Sequence, residues 1–134
     1  MNVYLDNAAT TQIDPQVVEA MIPVLKDNYG NPSSIHANGR TARSVIERAR
    51  KQIAAHFNAS PSEFFFTSGG TEADNMVLRC AVEDLGVKHI ITSPLEHHAV
   101  IHTAEELAEE HGIKLSLVKF CKKGKVDMEY LEEL

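Results

Sequence analysis

The chain has 134 residues, 43% apolar and 24% charged, with 19 acidic against 13 basic side chains and a net charge of −6. That is the size of one ordinary domain, able to bury roughly two thirds of its unfolded surface, and its composition excludes collagen-like, disordered and disulfide-scaffold classes. The acidic balance argues against a nucleic-acid partner.

The charge is uneven. Residues 1–67 carry six acidic and six basic groups, and residues 68–134 carry thirteen and seven, which reads as a solvated acidic surface. No apolar stretch approaches a membrane span, and Met1 to Asp14 holds no basic segment followed by an apolar run. Two cysteines, Cys80 and Cys121, do not make a disulfide framework. The expectation is a cytoplasmic protein with no membrane partner.

In chain order, Val3-Tyr4-Leu5 is a short apolar start, and Asp14-Pro15 opens a helix, with Asp as cap and Pro at the first helical position. Apolar residues from Val17 to Leu25 follow at helical spacing, and Pro23 is expected to kink or end that helix. Asn28 to Ser34 is turn chemistry. Ala42, Val45, Ile46, Ala49, Ile53, Ala54 and Phe57 define a second helix, with Arg40, Arg43, Arg48, Arg50 and Lys51 on a solvated outer face.

Ser60-Pro61-Ser62-Glu63 resembles a capping box. Phe64 to Thr67 reads as a buried strand, and Ser68 to Thr71 as a tight turn. Glu72 to Leu85 reads as a helix with Ala73, Val77, Ala81 and Leu85 on its packed face. A strand at His89–Thr92, a helix at His98–His111, a strand at Lys114–Phe120 and a helical start at Asp127–Leu134 complete the pattern. This alternation predicts an α/β fold with about three strands in a mostly parallel sheet flanked by helices. Such a sheet needs both faces covered, so the chain reads as cut from something longer.

The sharpest local feature is Phe66-Thr67-Ser68-Gly69-Gly70-Thr71-Glu72, a strand running through two glycines into a helix. Glycines let a ligand approach the backbone, the new helix offers free N–H groups and a favourable dipole, and Thr71 adds a hydroxyl, so a phosphate is the natural guest. The segment is neither a Walker A loop nor a Gly-x-Gly-x-x-Gly fingerprint. Glu96-His97-His98-Ala99-Val100 follows a strand, where α/β folds place ligands, and an imidazole there can stack on a flat ring or move protons. His98 and His102, four apart, have zinc-ligand spacing, but no cysteine accompanies them. They read as surface histidines, and no metal is expected. Cys121, beside Lys122, Lys123 and Lys125, lacks a positioned base, and Cys80 reads as a small packing residue.

Four segments then come into register: Tyr4-Leu5-Asp6-Asn7-Ala8-Ala9-Thr10-Thr11, Gly30-Asn31-Pro32-Ser33-Ser34-Ile35-His36, Phe66 to Asn75, and Glu96 to Val100. Their order and spacing resemble the N-terminal third of a cysteine desulfurase of the iron–sulfur and nitrogenase type. That group belongs to the pyridoxal-phosphate-dependent aminotransferase class V family, fold type I. The resemblance implies a pyridoxal 5'-phosphate cofactor with Gly70 and Thr71 at its phosphate and His97 stacked on its ring, assisting proton transfer. It sets Asn7, Ala8 and the Asn31–His36 loop near the active site. It further implies L-cysteine as substrate, L-alanine and an enzyme persulfide as products, a scaffold or carrier protein as sulfur acceptor, and a homodimer at full length. Residues 1–15 would reach toward a small domain or dimer partner, with residues 16–134 the first part of the large cofactor domain.

The family's Schiff-base lysine sits in a Ser-x-His-Lys context that none of the eight lysines here shares. That lysine, the aspartate at the pyridine nitrogen, the persulfide cysteine and the substrate arginine would lie in a part not present. The expectation is an N-terminal fragment, inactive alone, with neither Cys80 nor Cys121 as the persulfide carrier. The alternatives are a selenocysteine lyase or other class V enzyme, a non-catalytic interaction module, and an unrelated phosphate-binding α/β domain.

Overall fold

The computed structural model describes residues 3–134, so the first two residues of the 1–15 segment lie outside the described residues. Contacts divide the chain into a first unit ending at Phe65 and a second over Phe66–Leu134.

The first unit is helical. Helix α1, Pro15–Asp27, starts where Asp14 accepts the Gln16 N–H at 2.8 Å and Pro15 supplies a preset φ. Pro23 sits inside this helix and does not end it; the helix runs one further turn to Asp27. None of its residues is buried. Helix α2, Ala37–His56, buries Gly39, Ala42 and Ala54. A side chain on Gly39 would collide with the carbonyl oxygens of Ser34 and Asn31, so the Asn31–Ser34 turn can lie on the first turn of α2 only with glycine there. Ser60 and Glu63 form the expected capping box around a 3-10 turn at Pro61–Glu63. Arg50 departs from the solvated face: it is half-buried, donates to the Phe64 carbonyl at 3.1 Å and pairs with Glu47.

The second unit holds the sheet and the larger core. Helix α3, Gly70–Arg79, runs into a π-turn, Cys80–Asp84, closed by the Leu85 N–H on the Cys80 carbonyl at 3.0 Å. Strand β1, His89–Thr92, pairs in parallel with β2, Lys114–Leu117, with Ile90 opposite Leu115. Helix α4, His98–His111, makes the crossover between them and ends at Gly112, whose φ of 63° is the left-handed cap glycine tolerates best. Helix α5, Met128–Glu133, is capped by Asp127. Val82, Ile90, Ala104, Leu107 and Ile113 form the core cluster.

Four expectations are corrected. Phe64–Thr67 is not a strand: Phe65 and Phe66 are 73% and 52% exposed, and no described strand pairs with them. A strand needs a neighbour to take its backbone hydrogen bonds, and composition alone cannot supply one. The described sheet therefore has two strands rather than three. The second strand stops at Leu117; Phe120 instead bridges antiparallel to Val126 across a turn of lysines. The packed side of α3 carries Asn75, Leu78 and, past its end, Val82, while Val77 and Leu85 face outward. Finally, Cys80 is exposed, not a packing residue.

Candidate functional site

Helices α3 and α4 pack together, and their polar links fix the direction. The Thr103 hydroxyl donates to the Asn75 side-chain oxygen. Arg79 reaches Glu106 at 2.5 Å and Glu110 at 3.8 Å. Pairings that climb together along both helices mean that the helices run parallel. Asn75 and Thr103 each lie five residues past a helix start, roughly 7.5 Å at the usual rise. The two N-termini therefore stand level at one end of the second unit. It is also the carboxyl end of β1, since only five residues separate Thr92 from the first residue of α4. Gly70, Thr71 and His97, the three residues singled out in the sequence, therefore lie at the same end of the second unit.

The two helix starts differ in chemistry. Asp14, His36, His97 and Asp127 each place a side-chain acceptor on the opening turn of α1, α2, α4 and α5. The residue in that position on α3 is Gly69, and no side chain caps this helix. Its first-turn amides are left for solvent or an anion. Gly69 is in extended backbone, with φ 173°, that any residue can adopt, and no neighbour stands within 4 Å of where a Cβ of Gly69 or Gly70 would be. The space over these amides is open.

Thr67 and Glu72 shape the approach. The Thr67 hydroxyl donates to the Gly69 carbonyl at 3.1 Å. The Glu72 carboxylate accepts the Ser68 N–H at 2.6 Å, closing the turn from outside. That backbone hydrogen bond first, and the Ser68 side chain second, hold the Glu72 carboxyl below the usual glutamate value. Sequence reasoning missed this link; its signal was a glutamate in the first turn, in the manner of a capping box.

His97 is exposed at the start of α4. Its Nδ1 accepts the Ala99 N–H at 3.2 Å, so the neutral ring carries its proton on Nε2. The cap fixes the ring at its Nδ1 edge and leaves Nε2 for another partner. The Asn75–Thr103 link was also missed; Thr103, a buried polar residue, ties the two helices below the level of the site.

Cys80, past the far end of α3, stands apart from this end. The Asp84 side chain, then a loss of hydration, then the charges of Asp84 and Glu83 push the Cys80 thiol above its ordinary pKa, which disfavours thiolate. Cys121 is exposed at the lysine-rich turn. No described helix is long and apolar enough to cross a membrane.

The geometry agrees with what the chain is similar to. The aminotransferase class-V family model matches residues 3–134. The cysteine desulfurase IscS of Methanosarcina thermophila is 46% identical over 132 residues, covering 96% of this chain and 32% of that protein. The cysteine desulfurase IscS of Dictyoglomus turgidum is 46% identical over 133 residues, covering 98% and 34%. Among solved structures, a NifS-like protein superposes with a TM-score of 0.90 at 42% identity, covering all of this chain and 37% of its own. The structure of SspA in complex with cysteine gives 0.79 at 32% identity, covering 94% and 37%. The chain spans about a third of the length of the curated relatives it matches. The α/β architecture with a parallel pair is that of the NifS-like, fold type I enzymes. From its third residue to its last, this chain belongs to the class-V aminotransferase family, among homologues of the cysteine desulfurases IscS and NifS.

Proposed function

We propose that this chain supplies the phosphate-binding and ring-stacking part of a pyridoxal 5'-phosphate-dependent cysteine desulfurase. The observation that carries the reading is the uncapped start of α3 standing level with His97 at the start of α4. The residues fit the cofactor. The Gly70 and Thr71 amides and the Thr71 hydroxyl are donors for a phosphate dianion, and the positive end of the helix dipole favours that charge. The open space over Gly69 and Gly70 admits its oxygens. His97, fixed through Nδ1, presents a flat ring for stacking and an Nε2 that holds or passes a proton.

When bound, the cofactor supplies an electron sink for L-cysteine. The full-length reaction leaves L-alanine, with the sulfur held as an enzyme persulfide for iron–sulfur cluster assembly. On this reading neither Cys80 nor Cys121 carries the persulfide, whose cysteine belongs to the rest of the enzyme; the Asp84 side chain also raises the Cys80 thiol pKa, which disfavours thiolate. The reading extends to a sulfur-accepting scaffold or carrier protein, a homodimer and a cytoplasmic setting. Residues 1–15 reach toward a small domain or partner, and residues 16–134 form the first part of the cofactor domain. The IscS names of the relatives support this pathway.

Equilibrium dialysis of the 134-residue chain against pyridoxal 5'-phosphate tests the reading. Saturable uptake, displaced by inorganic phosphate and weakened about tenfold in Thr71→Val, is expected; tenfold corresponds to ~1.4 kcal/mol, the worth of one hydrogen bond to a charged group. Uptake indifferent to Thr71→Val, or no uptake, would contradict it. With L-cysteine added, the chain should release no alanine, because no Ser-x-His-Lys lysine is present.

A further inference from the structure

We propose that His98 and His102 form a two-histidine site for a divalent transition ion of the zinc, nickel or copper class on the exposed side of α4. It goes beyond the sequence-based expectation of plain surface histidines, and it does not depend on the cofactor reading. Residues four apart on a helix stack on one face. The same spacing holds the paired histidines of helical His-Glu-x-x-His metal sites.

The ring separation admits a shared ion. Their centroids are 4.7 Å apart, with planes tilted by 34°. A metal ~2.0–2.1 Å from a ring nitrogen lies about 3.2 Å from that ring's centre, so two centres at this separation subtend roughly 95° at one ion. That angle falls between square-planar and tetrahedral coordination, the geometries borderline imidazole-binding ions accept. By contrast, His97 lies 6.0 Å from His98, ring to ring, and its Nδ1 is committed to Ala99.

Both side chains are exposed, and neither ring spends a nitrogen on a hydrogen bond or ion pair; each has only ring contacts. Imidazole nitrogens free of other partners are the ligands such ions take. Further along the helix, Glu105 and Glu109 add negative charge that favours an arriving cation. No group of three or more ligating side chains is gathered among the described residues. Water would therefore complete the coordination, giving an open, exchangeable site rather than a closed structural one.

The test is calorimetric titration of the 134-residue chain with Ni²⁺ alone, beside thermal melting followed by circular dichroism. One ion per chain should bind. His98→Ala and His102→Ala should each weaken binding at least about tenfold, while His111→Ala leaves it unchanged. Because the ion clamps two turns of α4, Ni²⁺ should raise the melting temperature of the parent chain and of neither of the two variants. Unchanged affinity in His98→Ala and His102→Ala, or binding abolished instead by Cys80→Ser or Cys121→Ser, would overturn the proposal.

Discussion

The two units spend similar apolar sequence very differently. Helix α1 carries Val17, Val18, Met21, Ile22, Val24 and Leu25 at good helical spacing, yet none is buried. The second unit turns fewer large side chains into a continuous core, because β1, β2, α3 and α4 close around Leu107. Periodicity tells which side of a helix wants to be covered; only neighbouring elements decide whether it is. The second unit also holds the candidate site, and its packing sets the level of the two helix starts.

The largest difference should appear on truncating one leucine in each unit. Leu107→Ala empties a fully buried position and should cost about 2–5 kcal/mol. Leu25→Ala removes a side chain that is 73% exposed and should stay within about 0.5 kcal/mol. Urea denaturation of both variants measures the contrast, and equal losses would dissolve it.

Next in size is the link between α3 and α4. Thr103→Val keeps the shape but leaves the Asn75 oxygen without its donor, at a cost of about 1–3 kcal/mol. Thr103→Ser should restore most of it. If valine is as stable as threonine, the hydroxyl does not tie the helices.

Helix starts sharpen the comparison further. Asp14→Ala removes the cap of α1 and should cost about 1 kcal/mol. Gly70→Ala at the uncapped start of α3 meets no neighbour and should be neutral or gain up to about 0.5–1 kcal/mol, since alanine loses less backbone entropy in a helix. Thermal melts should show a loss for Asp14→Ala and none for Gly70→Ala.

The smallest effect is in acid. The Glu72 carboxyl is held below its ordinary value by the Ser68 N–H, so the charged form is favoured in the folded chain. That stabilisation is present above the ordinary glutamate pKa and lost as pH falls through the lowered folded value. The Ser68 amide resonance should move in that acid window in the parent chain and stay still in Glu72→Gln.

Features that depend on a few consecutive residues were legible in the sequence. The Asp14-Pro15 start, the Ser60–Glu63 capping box, the 89–92 strand and the 98–111 helix stand where residue order sets them. Features that depend on a distant neighbour were not. Phe64–Thr67 has strand composition but belongs to no described strand, and α3 turns Leu78 and Val82 inward because α4 and the sheet lie on that side, a fact its own spacing does not contain. Gly70, Thr71 and His97 could each be singled out at the start of a helix. Their shared level came from Asn75 meeting Thr103, 28 residues apart.

The central claim is that the starts of α3 and α4 act as one site for a phosphate and an attached ring. Titration of the ¹⁵N-labelled chain with pyridoxal 5'-phosphate, followed by nuclear magnetic resonance, tests it most directly. The Gly70 and Thr71 amides and the His97 ring should shift together and saturate at one concentration, with inorganic phosphate reproducing only the Gly70 and Thr71 part. Shifts confined to the Lys122–Lys125 turn, with Gly70, Thr71 and His97 unmoved, would contradict it.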